Sequence, residues 1–172
     1  IFSGLLAACL LLCGACATIP ETGQNAFILI SPGDEAAIGA NAFQEVKKQV
    51  PVARDHPGQI LLEKVGRRIA AISGLPNAQW EFVLFENQTP NAFALPGGKV
   101  GVHTGMLSVT QTEGGLAAVV SHEIAHVILR HGAQRFSQGL VTEMGRNLLS
   151  LALNDDEYKT RELANMAYGL SS

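Results

Sequence analysis

The spacing of apolar and polar positions changes several times along the chain, and each change marks an element. Residues 31–50, SPGDEAAIGANAFQEVKKQV, are amphipathic at helical spacing. Ser31 suits an N-cap, Pro32 the first helical position, and Asp34 the place where a capping box wants an acid. This predicts a helix over 32–50. Pro51 and the His56-Pro57 pair interrupt it; Ile60, Leu61, Val65, Ile69 and Ile72 then recur at helical spacing until Gly74 and Pro76 end a second helix. Residues 80–85, WEFVLF, alternate and are rich in aromatic and branched side chains, which predicts a strand with one buried face. Residues 91–109, NAFALPGGKVGVHTGMLSV, give a short run, a Pro96-Gly97-Gly98 turn and a second run with Val100 and Val102 on one side, the pattern of a hairpin. A third helix is expected to start near Thr112, to carry Leu116, Val119, Val120, Ile124, Val127 and Ile128, and to stop at Gly132, the residue type that most often takes the left-handed cap. No repeat, low-complexity tract or linker divides this pattern, so the expectation is one α+β domain, mostly helical, with a small sheet.

The first eighteen residues, IFSGLLAACLLLCGACAT, depart from it because they are almost wholly apolar or small. They are too short and too rich in small residues to read as a membrane span, and they resemble a secretory signal. All three cysteines, Cys9, Cys13 and Cys16, fall inside this stretch, which leaves no thiols in the body for a disulfide framework. A cysteine after small residues at the end of an apolar run resembles the bacterial lipobox, whose cysteine is acylated and becomes the first mature residue. Leu6-Ala7-Ala8-Cys9 fits the lipobox spelling better, but Gly14-Ala15-Cys16 ends the apolar run and is followed directly by mature-looking chain. The reading is therefore a signal over 1–16 ending at Cys16 as the lipidation site, then a single domain over 17–172; the alternative is an ordinary signal with incidental cysteines. A net charge of -3 and a charged fraction of 16% offer no basic patch for a phosphate backbone, which argues against nucleic acid as a partner.

Inside the third helix, residues 121–132 read SHEIAHVILRHG, and its apolar role does not explain His122, Glu123 and His126. At roughly 100° per residue the two histidines lie roughly 40° apart and stack one turn from each other, with Glu123 on the adjoining flank. Two imidazoles placed so can share one metal ion, and the carboxylate beside them can serve as general base: the arrangement of an H-E-x-x-H zinc site. Zinc lowers the pKa of a bound water to about 7 and polarises a carbonyl, which is the chemistry of hydrolysis at neutral pH. The bland reading is an ordinary helix with solvated or core histidines. His131, five residues after His126, would lie roughly 140° away on a continuous helix, on the wrong face for the same ion. Its expected role is to complement the dipole at the helix C-terminus. His103 reads as a packing or surface residue of the hairpin, and His56 carries no functional expectation.

SHEIAHVILRHGAQR, with NAFALPGGKVGVHTGML and CATIPETGQNAFILISPGDE before it, resembles the HtpX-like and CAAX-prenyl-protease-like zinc metallopeptidases. Within them it most resembles the bacterial lipoprotein branch that includes the periplasmic β-barrel assembly-enhancing protease. The resemblance implies a gluzincin-type metallopeptidase domain with the H-E-x-x-H helix beside a small sheet and a peptide-binding cleft. It implies His122 and His126 as ligands of one Zn2+, Glu123 as catalytic base, and Asn91, Ala92 and Phe93 as the edge strand that pairs with substrate backbone. The third ligand of the family is a glutamate in an E-A-D-x-x-G helix, which nothing here spells. Residues 167–172, AYGLSS, resemble the approach to that segment, so the expectation is a domain cut short, with the glutamate beyond Ser172. The remaining downstream acids, Glu143, Glu157 and Glu162, read as solvated helix-face charges. The resemblance further implies unfolded or misassembled envelope proteins as substrates and, through a lipid anchor, attachment to a membrane. Ala17 after the cysteine points to the outer membrane, facing the periplasm. The alternative is a non-catalytic, peptide-binding or chaperone-like envelope lipoprotein. Glu123 favours the enzyme, since a protein that only holds peptide needs no base beside the histidines.

Overall fold

The computed structural model describes residues 16–19, 23 and 25–144. Most of the apolar opening stretch, including Cys9 and Cys13, and the acids Glu157 and Glu162 lie outside them. A short antiparallel pair, β1 (Cys16–Thr18) and β2 (Asn25–Phe27), opens the described chain. Helix α1 (Pro32–Gln49) begins as its sequence predicts: Ser31 Oγ accepts from Asp34 N at 3.2 Å and donates to the Asp34 carboxylate at 2.7 Å. Helix α2 (Pro57–Ala70) starts earlier than its apolar stripe suggests, because His56 Nδ1 accepts from Gly58 N at 3.0 Å and caps it. It also ends before Ile72, which is 84% exposed, while Ile60 is 76% exposed in the outward-facing first turn. The buried stripe is Leu62 and Val65 with Gly66.

Strands β3 (Glu81–Phe85), β4 (Ala92–Leu95) and β5 (Lys99–His103) form a sheet in the order β3-β5-β4. The β4-β5 hairpin turns through Pro96, Gly97 and Gly98, where φ values of 78° and 88° at the two glycines select residues without a Cβ. β5 returns parallel to β3. The sheet is covered on both faces, so β3 does not keep the single buried face expected of its alternation. Val83, Phe85, Phe93 and Leu95 pack with Ile38, Ala42, Phe43 and Val46 of α1, and Phe82, Leu84, Val100 and Val102 pack with Leu62 and Val65 of α2 and the helix described next. The edge of β3 is closed. Leu84 N donates to the Gln59 side chain at 2.7 Å, Gln59 Nε2 donates to Phe82 O at 2.9 Å, and Ala53 N donates to Leu84 O at 2.9 Å.

Beyond β5 the expected second run of the hairpin gives way to a short helix, α3 (Thr104–Thr110), which tucks Met106 and Leu107 against the α2 side of the core. Helix α4 (Glu113–Ile128) is capped by Thr112, whose side chain accepts from Gly115 N at 3.0 Å, and it buries Leu116, Val120 and Ile124. Its end differs from the prediction. The left-handed residue is Arg130, with φ 53°, and Gly132 already belongs to the next helix, α5 (His131–Met144). A left-handed arginine costs about 1–2 kcal/mol. The turn is held because Arg130 Nε and Nη2 donate to Glu35 Oε2 at 2.8 and 2.5 Å and Gln134 Nε2 donates to Leu129 O at 2.7 Å. Gly132 is small for another reason: a Cβ there would sit 3.1 Å from Pro96 Cγ. Helix α5 lays Phe136 and Leu140 into the α1 core and Ala133 against Ile19, Ala26 and Ile28. Among the described residues no helix is long and apolar enough to cross a membrane.

Candidate active site

A cleft of about 480 Å³ opens between the start of β4, α3 and α4, lined by Asn91, Ala92, Met106, Val119, His122 and Glu123. Because α4 turns Leu116, Val120 and Ile124 into the core, the flank carrying Val119, His122 and Glu123 is left to form one wall. The opposite wall is the strand edge. His103 N donates to Asn91 O at 2.9 Å, so by the alternation of an antiparallel ladder the N–H and C=O of Ala92 and Ala94 point away from β5, toward the open side. Of the predicted trio, Asn91 and Ala92 line the cleft, but the Phe93 side chain does not. It is 4% exposed, in the core, with its ring 6.2 Å from that of Phe43 and 5.9 Å from that of Phe85. Phe93 lies on the edge strand and its ring is an anchor of the sheet.

The stacking expected of the two histidines is present, with His122 Nε2 3.1 Å from His126 Nε2. Burial pushes the Glu123 carboxyl above its ordinary pKa, while nearby His122 and Arg135 pull it part of the way back. Burial also lowers the pKa of His126, and the neighbouring His122, His131 and Arg135 lower it further, which favours the neutral imidazole.

Residues 59–168 match the family model described as peptidase family M48. The chain belongs to that family. It is 36% identical over 122 residues to the mitochondrial metalloendopeptidase OMA1 of Schizosaccharomyces pombe, and 30% identical over 117 residues to the beta-barrel assembly-enhancing protease of Escherichia coli. The two alignments cover 69% and 68% of this chain but 36% and 24% of the relatives, so the chain spans about a third or less of their length.

For an M48 domain the donor set can be tested against a metal ion. Two nitrogens each about 2.0–2.1 Å from a tetrahedral zinc stand about 3.3 Å apart, close to the separation of the two Nε2 atoms here. The pair fits. Among the described residues no third His, Cys, Asp or Glu completes a group that could hold an ion. Glu143 lies in α5. His103 is 3% exposed, edge-on to Phe93, with Nδ1 2.9 Å from Thr89 O, which is the packing role expected of it.

His131 is where the M48 site departs from the sequence reading. The expected rotation to the far face assumed an unbroken helix, whereas the left-handed Arg130 turns the chain back and places His131 Nδ1 2.5 Å from His126 Nδ1. The only signal for this in the sequence was the third histidine itself, since an arginine does not announce a left-handed turn. Met106 and Val119 in the cleft, and Glu35 behind the turn, also escaped the sequence reading; apolar periodicity marks core faces and not cleft walls.

Proposed function

We propose that this protein is a zinc-dependent endopeptidase of the bacterial cell envelope that cleaves unfolded or misassembled envelope proteins. The observation that carries the reading is one cleft with an open strand edge on one wall and, on the other, Glu123 and His122, whose Nε2 lies 3.1 Å from that of His126. Zn2+, when bound, supplies Lewis-acid polarisation of the scissile carbonyl and acidifies water. His122 and His126 would hold it through Nε2, with a glutamate outside the described residues as the third ligand. Glu123 takes the proton from the attacking water and passes it toward the leaving amine. The outward N–H and C=O groups of Ala92 and Ala94 receive an extended peptide as an added strand. A strand edge binds main chain and is nearly indifferent to side chains, which suits substrates defined by being unfolded.

Ala92→Pro tests the reading. Proline removes an N–H that points to the cleft and leaves the β4-β5 ladder intact, since that N–H is not one of its donors. Cleavage of an unfolded protein by the full-length protein is expected to show KM raised about fivefold, the worth of one hydrogen bond of about 1 kcal/mol, with zinc content unchanged. An unchanged KM, or no cleavage by the wild type, would count against the model.

Attachment to the outer membrane, facing the periplasm, is the second part of the proposal. Support comes from Cys16, at the end of the apolar stretch and at the start of β1. Acyl chains on Cys16 would suffice for stable membrane attachment. Cys16→Ala should move the protein from the membrane fraction to the soluble envelope fraction; a wild type recovered as a soluble protein with a free thiol would refute the anchor.

A further inference from the structure

The geometry points to His131 as a positioning residue that holds the ring of His126 by accepting a hydrogen bond from its Nδ1. This rests on the metal-binding role proposed above for His126. The two Nε2 atoms of His122 and His126 face one another at 3.1 Å, which leaves Nδ1 of His126 as the nitrogen turned away from the shared site. A neutral imidazole that offers a lone pair at Nε2 carries its proton on Nδ1. The group 2.5 Å from that nitrogen is His131 Nδ1, so His131 accepts there and carries its own proton on Nε2. The contact selects one tautomer of His126. It also fixes the rotation of the ring, whose neighbours in this arrangement are His122 at 4.6 Å and His131 at 4.8 Å between centroids.

The backbone explains why this acceptor is available. His131 opens α5 immediately after the left-handed Arg130, and Arg130 is tied by two hydrogen bonds to Glu35 of α1. The position of the acceptor therefore depends on a residue almost a hundred positions earlier in the chain, and the orientation of His126 depends on the packing of α1. His131 does not itself reach toward the ion, because its contact is with the opposite edge of the His126 ring.

The test measures zinc binding by chelator competition in the full-length wild type, His131→Ala and His131→Asn, with thermal unfolding of each metal-free protein and the nitrogen shifts of His126. Loss of an outer-shell partner of a metal-ligating histidine weakens affinity about 10- to 100-fold. His131→Ala is expected to fall in that range and to lose the single Nδ1–H tautomer of His126. Asn places a carbonyl oxygen near the position of Nδ1, so His131→Asn is expected to recover most of the affinity. Wild-type affinity in His131→Ala overturns the inference alone. Equal weakening in both variants, tracking a lowered melting temperature, also overturns it, because it marks a merely structural residue. A wild type that takes up no zinc sinks the proposed function, and this inference with it.

Discussion

Replacing Glu123 with glutamine is expected to reduce peptide hydrolysis about 10²- to 10⁴-fold while zinc remains bound, because the amide fills the same space and cannot accept a proton. Glu123 sits in the wall of the cleft, beside the imidazole pair, and both imidazoles are untouched by the change. Its partly buried carboxyl is pushed by burial above its ordinary pKa, with His122 and Arg135 opposing the push. Turnover of an unfolded protein, measured together with metal content, separates the two effects. Near-normal turnover would remove Glu123 from the role of base. Lost turnover accompanied by lost zinc would mean that the carboxylate supports the ligands instead.

Arg130→Met should cost about 3–5 kcal/mol of stability at neutral pH, the usual penalty for stranding one partner of a buried ion pair. Glu35 is 7% exposed and its carboxylate is bonded by both Nε and Nη2 of Arg130. Burial raises the pKa of Glu35 and the hydrogen bonds and charge of Arg130 lower it, so removing Arg130 leaves the upward push unopposed. The sign of the pH dependence follows. A carboxyl whose pKa is higher in the folded than in the unfolded protein binds more protons when folded, so stability falls as pH rises through that window and returns as pH falls. The variant should therefore recover on mild acidification, and Glu35→Gln in the Arg130→Met background should recover part of the loss at neutral pH. Urea unfolding at two pH values checks both. A loss below about 1 kcal/mol, or one independent of pH, would show that the pair contributes no more than an exposed one.

What the sequence made legible, and what it hid, divides along physical lines. Helices α1, α2 and α4, strand β3 and the Pro96-Gly97-Gly98 hairpin were readable because each carries its own cap, period or turn residues. The pairing of His122, Glu123 and His126 was readable because a helix converts spacing into geometry. Helix α3 was hidden because Met106, Leu107 and Val109 are as compatible with a strand as with a helix of about two turns. Strands β1 and β2 are three residues each and gain their order from packing of Ala26 and Ile28 against Ala133, a contact between distant segments. The end of α4 was misplaced at Gly132 because Arg130 donates across the fold to Glu35, and Gln134 to Leu129 O, and these bonds stabilise a left-handed arginine that local propensity disfavours. The same omission concealed His131.

The closed edge of β3 has a consequence for colloidal behaviour. A sheet with two free edges can serve as a seed: a chain added on one side leaves the other ready to recruit a second molecule, and growth continues. Here Gln59 occupies the main-chain groups of Phe82 and Leu84, and Ala53 that of Leu84 on the same side. A sticky polypeptide that lands on β4 therefore reaches a dead end, a fourth strand with no route through the sheet to another copy. If substrate adds to β4 in the way proposed above, this arrangement would cap a nascent fibril rather than extend it.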